Sequence, residues 1–324
     1  MKNFFDITQA PVDQTIQTLA NDFRRVGRGF STTHILPDIF PADSTQSRYR
    51  IVPLLLVVGD PEEWDCQRNS TEAASVLLKN LDDVVQCFIE TWKDDAIRAE
   101  NLVFFQLGDY EETLPSLRKF KVFKNSARRD SSDLSLAYFV MNQSDRDIAP
   151  ISQATIEVSF RGAVKGMPLR EKLRDFFQNY SGTRVRASFQ ESYNIIGITK
   201  KSDYCMQYRD LMADSKFVLC PRGTGLSSYR LYETIAYGRI PIIISDNYKL
   251  PEVGIDWRNL SIQVGEDDLD SIPEKIHEFA STKNLEQVSE TLKECFDRFF
   301  ANSSLAHQIR SSLYETSAAY GESV

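Results

Sequence analysis

The chain has 324 residues, 42% of them hydrophobic and 26% charged, with a formal net charge of −8 at pH 7. That length suits two domains of ordinary size, each able to bury a core without disulfides or metals. The acidic balance excludes a general binder of nucleic acid or of anionic membranes, though not a local basic cleft.

The five cysteines (Cys66, Cys87, Cys205, Cys220 and Cys295) are scattered and form no CxxC pair. That spacing fits reduced thiols in a cytoplasmic setting, and neither a zinc site nor a disulfide framework. The opening "MKNFFDITQAPVDQ" lacks the apolar core of a signal peptide. The longest apolar run, "IVPLLLVV", is strand-sized, so no membrane span is expected.

In chain order, "DQTIQTLANDFRRVGRG" sets Ile16, Leu19, Phe23 and Val26 on one helical face and ends at a glycine. "YRIVPLLLVVGD" predicts a buried strand closing on Gly59 and Asp60. "STEAASVLLKNLDDVVQCFIETW" places Leu77, Leu81, Val84, Phe88 and Trp92 at helical spacing. "NLVFFQLGD" predicts a second buried strand, again closing on a glycine and an acid, Gly108 and Asp109. "FKVFKNS" and "LSLAYFVM" predict further strands. Continuous apolar strands of this kind favour a sheet covered on both faces. The polar "NQSDRDIAP", ending at Pro150, predicts a linker between domains over 1–150 and 151–324.

A second series follows. "ATIEVSFRGA" predicts a strand. "PLREKLRDFFQNYSG" predicts a helix opened by Pro168 and closed by Gly182. "TRVRASF", "KFVLC", "IPIIISD" and "LSIQV" predict strands, and "SDYCMQYRDLMADS" a helix. From about Asp270 onward the chain reads as helices, with Ile276, Val288, Leu292, Phe296 and Phe300 inward.

The chemistry concentrates in "CPRGTGLSSYRLYETIAYG", residues 220–238. Pro221 is expected to end the ladder. Gly223 and Gly225 permit a tight turn and close approach of a ligand to backbone. Ser227 or Ser228 can cap the helix, and Gly238 ends it. Arg230 then sits in the first helical turn, where a cation opposes the macrodipole. An anion bound at the helix start makes that choice sensible: Arg230 meets a phosphate, and Glu233, on the same face, accepts from a ribose diol. The bland alternative is a surface ion pair between the two. "SFRGAVKGMPLREKL" repeats the oddity, with Arg161 and Gly162 at a strand end and Arg170 in the next helix's first turn. Arg161 or Arg170 is therefore expected to contact an anion, the alternative for Arg170 being a solvated side chain. "IPIIISD" delivers Ser245 and Asp246 to a strand's C-terminal end, where ligands bind in open α/β sheets; the alternative for Asp246 is an Asx-turn with Asn247.

Asp60, Asp109 and His34 are general-base candidates, the alternative for each aspartate being a plain turn residue. The acid pairs in "LDDVV", "KDDAI" and "EDDLD" are expected on solvated helix faces or loops, and no metal site is expected. "GTGLSS" also approaches the dinucleotide fingerprint GxGxxG/A, with Asp246 placed as its acid. Against it stand Ser228 at the third small position and the flanking Arg222 and Arg230.

"SKFVLCPRGTGLSSYRLYETIAYGRIPIIISDNYKLPE" resembles the exostosin family of glycosyltransferases. The family signature is Cys-Pro-Arg-Gly, then Ser-x-Arg-x-x-Glu, then Gly-x-x-Pro, an apolar run, Ser-Asp and Leu-Pro. It falls here on Cys220 to Gly223, Ser228, Arg230, Glu233, Gly238, Pro241, Ser245, Asp246, Leu250 and Pro251. Upstream, Arg161, Gly162 and Arg170 fit the start of the family's C-terminal domain. The resemblance covers about residues 147–264, with weaker support to about 310; the N-terminal half is matched by architecture alone.

The resemblance implies an α/β, GT-B fold: two Rossmann-like α/β domains facing a cleft, here with a helical C-terminal tail. It implies a nucleotide-sugar donor, UDP-linked in most members, held by Arg161, Gly162, Arg170, Arg222, Gly223, Ser228, Arg230, Glu233 and Asp246. It implies transfer to a glycan or other hydroxyl acceptor with inversion, without metal or other cofactor; it offers no match for the base, for which Asp109 and Asp60 are the candidates by their strand-end positions. Animal members are Golgi-anchored; with no anchor in view, a cytoplasmic enzyme building a surface glycan is expected. Two alternatives stand beside this: a nicotinamide- or flavin-dependent oxidoreductase using the GTGLSS turn, and a non-catalytic partner of a transferase complex.

Overall fold

The computed structural model describes residues 50–57, parts of 79–90, 102–138, 140, 148–164, 167–179, 185–190, 201–301 and parts of 304–313. The expected N-terminal helix, His34, Asp60, the "KDDAI" pair and the helical positions Leu77, Leu81, Val84, Phe88 and Trp92 lie outside the described residues. The chain divides into two units, 1–136 and 137–324.

The first unit holds a parallel sheet of β1 (Arg50–Val57), β2 (Leu102–Leu107), β3 (Lys121–Lys124) and β4 (Leu134–Ser135), in that order. Val103, Phe104 and Phe105 of β2 are buried in succession, as a parallel sheet covered on both faces requires. Phe105 and Phe123 face each other across β2 and β3 and stack with centroids 5.3 Å apart. Helical residues lie between 79 and 90, with Val85 buried. Asp82, expected on a solvated face, instead accepts from the Ser116 amide at 2.9 Å and hydroxyl at 2.6 Å.

One expectation from the sequence is corrected here: the strand expected over "LSLAYFVM" is only two residues long. The two compact units divide at 136/137. One cause explains both. Leu134 and Leu136 are buried in the first unit, whereas Ala137, Tyr138 and Val140 join the core of the second. An apolar run announces burial, but not in which core.

The second unit holds β5 (Ile156–Ala163), β6 (Val185–Gln190), β7 (Ser215–Pro221), β8 (Ile240–Ile244) and β9 (Ile262–Val264), all parallel, in the order β6-β5-β7-β8-β9. Its helices are α1 (Pro168–Asn179), α2 (Lys201–Ala213), α3 (Tyr229–Ala236), α4 (Trp257–Leu260), α5 (Ile272–Thr282) and α6 (Leu285–Cys295). The fold class is thus α/β with parallel sheets and a helical C-terminal region. All five C-terminal positions expected to face inward are buried. Phe300 packs on Tyr232 and Trp257 at 5.2 and 5.8 Å between centroids, which ties the C-terminal region to α3 and α4.

Pro221 does not end the ladder, contrary to expectation. It pairs with Ile244, and the next amide, Arg222 N–H, donates to the Ile244 carbonyl at 3.0 Å. Alternate amides of a strand face opposite neighbours, so the missing Pro221 N–H points toward β5. The β5–β7 pairing has already stopped at Ser159 and Val218, so no bond is lost there.

Gly238 closes α3 with φ +61, a conformation that favours glycine. A Cβ there would also stand 2.5 Å from Lys293 Cε. Among the described residues no helix is long and apolar enough to cross a membrane, and Cys205, Cys220 and Cys295 are free thiols.

Candidate donor site at the carboxyl ends of β5 and β7

The strand order of the second unit reverses between β5 and β7. From β5 the chain first moves outward to β6, then returns past β5 to β7. At such a reversal the loops leaving the two strands turn to opposite sides, and open α/β sheets bind ligands in the crevice expected at those carboxyl ends. Arg161 and Gly162 lie among the last three residues of β5; Arg222 and Gly223 follow β7.

The floor of this crevice is Phe160. The Arg230 guanidinium carbon lies 4.4 Å from its ring centroid and the Arg170 carbon 6.0 Å. Arg230 donates to the Arg161 carbonyl oxygen at 2.5 Å, and Arg170 to the Ala163 carbonyl at 3.1 Å. Both arginines are buried, 6% and 4% exposed. Gly162 makes room for one of them. A Cβ at Gly162 would stand 2.8 Å from Arg230 Nη2, and one at Gly223 3.7 Å from Arg170 Nη2. Arg161, Gly162, Arg170, Gly223 and Arg230 are thereby brought together from four separate elements.

Glu233, one turn beyond Arg230, is 3% exposed and accepts from the Tyr208 hydroxyl at 2.5 Å. Burial pushes the Tyr208 hydroxyl well above its usual range; Arg230 opposes the shift and Glu233 adds to it. Among the described residues of this floor, the buried charges are thus two guanidinium groups and one carboxylate. Arg161, half-buried, adds a further cation and donates to Gln207 Oε1 at 2.8 Å. Guanidinium groups stay charged when buried, so cations outnumber the carboxylate among these named groups. Cys220 is not a nucleophile here: burial pushes its thiol up to about 12.

Ser228 takes the cap position of α3, with φ −144 and ψ 132, but its side chain makes no capping hydrogen bond. That corrects the expectation of a side-chain cap at Ser228. The backbone turns here on its own bonds instead, Gly223 N–H to the Ser227 carbonyl at 3.1 Å and Leu231 N–H to the Ser228 carbonyl at 3.1 Å.

Beside this floor stands a second group. Arg222 Nε donates to Glu266 Oε1 at 2.8 Å, and Asp246 Oδ1 accepts from the Glu266 amide at 2.9 Å. Asp246 is exposed, and it braces the loop after β9 rather than a turn with Asn247. Glu266 also lines a cleft of about 490 Å³ with Lys172, Phe176 and Leu269.

A family model described as "Exostosin GT47 domain" matches residues 93–278, more than half of the chain. The chain belongs to the exostosin family. The match reaches further into the N-terminal half than the motif resemblance over 147–264 does. An exostosin-1 homolog of Caenorhabditis elegans is 37% identical over 94 residues, 29% of this chain and 24% of that relative. "Probable glucuronoxylan glucuronosyltransferase IRX7" of Arabidopsis thaliana is 28% identical over 235 residues, 70% of this chain and 49% of the relative. This exostosin-family chain therefore spans about half the length, or less, of these curated relatives. Among solved structures, a glycosyltransferase from Rickettsia africae ESF-5 covers 83% of this chain and 91% of its own at 10% identity, with a TM-score of 0.38. That likeness is slight.

In this exostosin chain, three contributors are not evident from the sequence. Phe160 is one strand residue among several apolar ones. Tyr208 meets Glu233 across 25 positions of sequence. Glu266 belongs to the acid run "EDDLD", expected to be merely solvated; its pairing with Arg222 spans 44 positions. Asp109 is placed in the first unit, half-buried, just past Gly108, whose φ of 104 marks a sharp turn. Among the described residues no group of three or more His, Cys, Asp and Glu side chains is arranged to hold a metal.

Proposed function

We propose that this chain transfers a sugar from a nucleotide-sugar donor to a hydroxyl of a glycan, with the donor diphosphate at the carboxyl ends of β5 and β7. The observation that carries this reading is the juxtaposition of Arg170 and Arg230 over Phe160 beside Gly162 of β5 and the glycine turn at Gly223. Charge develops on the diphosphate as the glycosidic bond breaks, and fixed cations in a low-dielectric crevice stabilise it without reorganising. That is the support for a mechanism without metal.

The reaction we favour is a single displacement with inversion. A carboxylate of the first unit, Asp109 or Asp60, removes the acceptor proton as the nucleoside diphosphate leaves. UDP is the nucleotide to try first. Several relatives are named glucuronosyltransferases, and the half-buried Arg161 and Arg222 are suited to a uronic carboxylate, so UDP-glucuronic acid heads the donor panel. Glu233 reaches a ribose diol in this scheme only if Tyr208 gives way or shares it. The oxidoreductase alternative needs Asp246 for a ribose, and one oxygen of that carboxylate is engaged by the Glu266 amide.

The test is a thermal-shift panel of UDP, GDP and NAD, followed by transfer assays with UDP-sugars. A ligand at 100 times its dissociation constant adds about 2.7 kcal/mol of stability. Stabilisation by UDP, with sugar transfer or slow donor hydrolysis, is the expected result. Stabilisation by NAD while UDP and GDP have no effect overturns the proposal. UDP binding with neither transfer nor hydrolysis favours a non-catalytic partner.

A further inference from the structure

Lys124, the last residue of β3, is fully buried. Its Nζ donates to the Glu111 carbonyl oxygen at 2.6 Å and to Thr113 Oγ1 at 3.4 Å, with Asp133 Oδ2 at 3.9 Å. Thr113 in turn donates to Asp133 at 2.5 Å. The next residue, Asn125, accepts from the Gly108 amide at 3.0 Å and donates to the Leu136 carbonyl at 3.1 Å. From β2, Gln106 donates to the Glu112 carbonyl at 2.6 Å and accepts from the Leu114 amide at 3.0 Å. Residues 108, 111, 112, 113 and 114 are thus all fastened by side chains rooted in or beside the sheet. Asp109 and Tyr110 stand between the fastened points at Gly108 and Glu111.

A buried ammonium is a costly way to fill space. Methionine occupies nearly the same volume with no charge to desolvate. Lys124 also differs from its neighbours Gln106 and Asn125 in that its hold can be switched off. Burial pushes it down to about 8, opposed by Asp133, Glu112 and Glu111 and reinforced by Arg128. An ammonium donates a charge-assisted bond to the Glu111 carbonyl; a neutral amine donates a weaker one. The segment it holds leaves the carboxyl end of a parallel strand, where such sheets carry their working groups.

We infer that Lys124 is a positioning residue, fixing the 108–114 segment so that Asp109 presents its carboxylate to the acceptor hydroxyl. This role rests on the transferase reading above for what Asp109 does; the fastening itself does not. A base displaced by about an ångström from its working geometry costs about a hundredfold in rate.

The experiment compares the wild-type chain with Lys124→Met and Asp133→Asn. It measures sugar transfer from a UDP-sugar and amide hydrogen exchange of residues 108–114 across pH 6.5 to 9.5, corrected for intrinsic exchange. In the wild type, kcat is expected to fall and the segment to lose protection above about pH 8. Lys124→Met should lower kcat by about a hundredfold, leave the donor KM within about twofold as a positioning role requires, and abolish the pH-dependent loosening. Asp133→Asn removes a carboxylate that favours the charged lysine, so both midpoints should move to lower pH.

Exchange of 108–114 that is the same in wild type and Lys124→Met overturns the inference. If Lys124→Met does not fold, an Asp133→Asn chain whose exchange midpoint stays at the wild-type pH does so equally. A wild-type chain that transfers sugar from no nucleotide-sugar overturns the transferase reading instead, and the exchange measurement still decides the fastening.

Discussion

The Arg230 guanidinium carbon sits 4.4 Å from the centroid of the Phe160 ring, and both side chains are buried. The first-turn arginine of α3 is therefore part of the sheet-to-helix packing as well as a charge available to an anion. Its bond to the Arg161 carbonyl links α3 to the end of β5.

Arg230→Ala is accordingly expected to damage the protein twice. A desolvated cation–π contact is worth about 2 kcal/mol and a hydrogen bond from a charged group about 1.5–3 kcal/mol, so a loss of about 3.5–5 kcal/mol in the ligand-free protein is expected. UDP affinity should fall as well. Denaturant unfolding of the apo variant checks the first effect and calorimetric titration the second. Unchanged apo stability would show that the stacking contributes nothing.

The two glycines of the crevice should behave differently. A Cβ at Gly162 meets Arg230 Nη2 at 2.8 Å and Phe160 Cζ at 2.9 Å, so Gly162→Ala must displace the stacked pair and destabilise the fold, by about 1–3 kcal/mol. At Gly223 the nearest atoms are 3.7 and 3.8 Å away, an ordinary contact distance. Gly223→Ala should leave apo stability within about 0.5 kcal/mol and weaken nucleotide binding. Equal UDP affinity in wild type and Gly223→Ala would remove the diphosphate from this turn.

Tyr208→Phe takes a hydroxyl donor from the buried Glu233 carboxylate. Leaving a buried carboxylate short of a partner costs about 1–3 kcal/mol or more. Unfolding measurements at neutral pH check that loss. Binding of pyrophosphate should survive the change, because the hydroxyl serves Glu233 and not the arginines. A variant as stable as the wild type would show that Glu233 has ample donors without Tyr208.

Lys124 makes a pH prediction of opposite sign to a salt-bridged lysine, whose value is raised on folding. Its lowered value means that between about pH 8 and 10.5 the unfolded chain still holds a proton that the folded chain has released. Stability therefore rises with pH across that window, by up to about 3 kcal/mol from this group. The penalty is complete below about pH 8. Urea unfolding of wild type and Lys124→Met at pH 7 and pH 10 checks it: the variant's advantage at pH 7 should shrink at pH 10. A difference that does not change with pH sinks the prediction. Global stability gains from shedding a buried charge even as the 108–114 segment loses its strongest fastening.

Much of the second unit is legible in the sequence. Apolar runs such as "IPIIISD" locate strands because both faces of a parallel strand are buried, and the glycine at position 238 ends a helix because its φ is positive. The motif residues Arg161, Gly162, Arg170, Gly223 and Arg230 converge as their strand-end and helix-start positions suggest. Local reasoning misleads where partners are shared or distant. Pro221 reads as a ladder stop, yet its missing amide faces a side where no pairing exists. "LSLAYFVM" reads as one strand, yet its apolar residues divide between two cores. Ser228 reads as a capping side chain and merely occupies the cap.

By itself the sequence determined the parallel α/β character, the family signature and the positions at which cations meet helix starts. These follow from periodicity and nearest neighbours along the chain. The tertiary structure alone decided which groups meet: Phe160 beneath two arginines, Tyr208 on Glu233, Glu266 on Arg222, Lys124 beneath the Asp109 segment. Those pairs depend on strand order and on crossovers that bring distant positions within hydrogen-bond reach. Burial, the other half of their chemistry, belongs to the packed chain and to no single stretch of it.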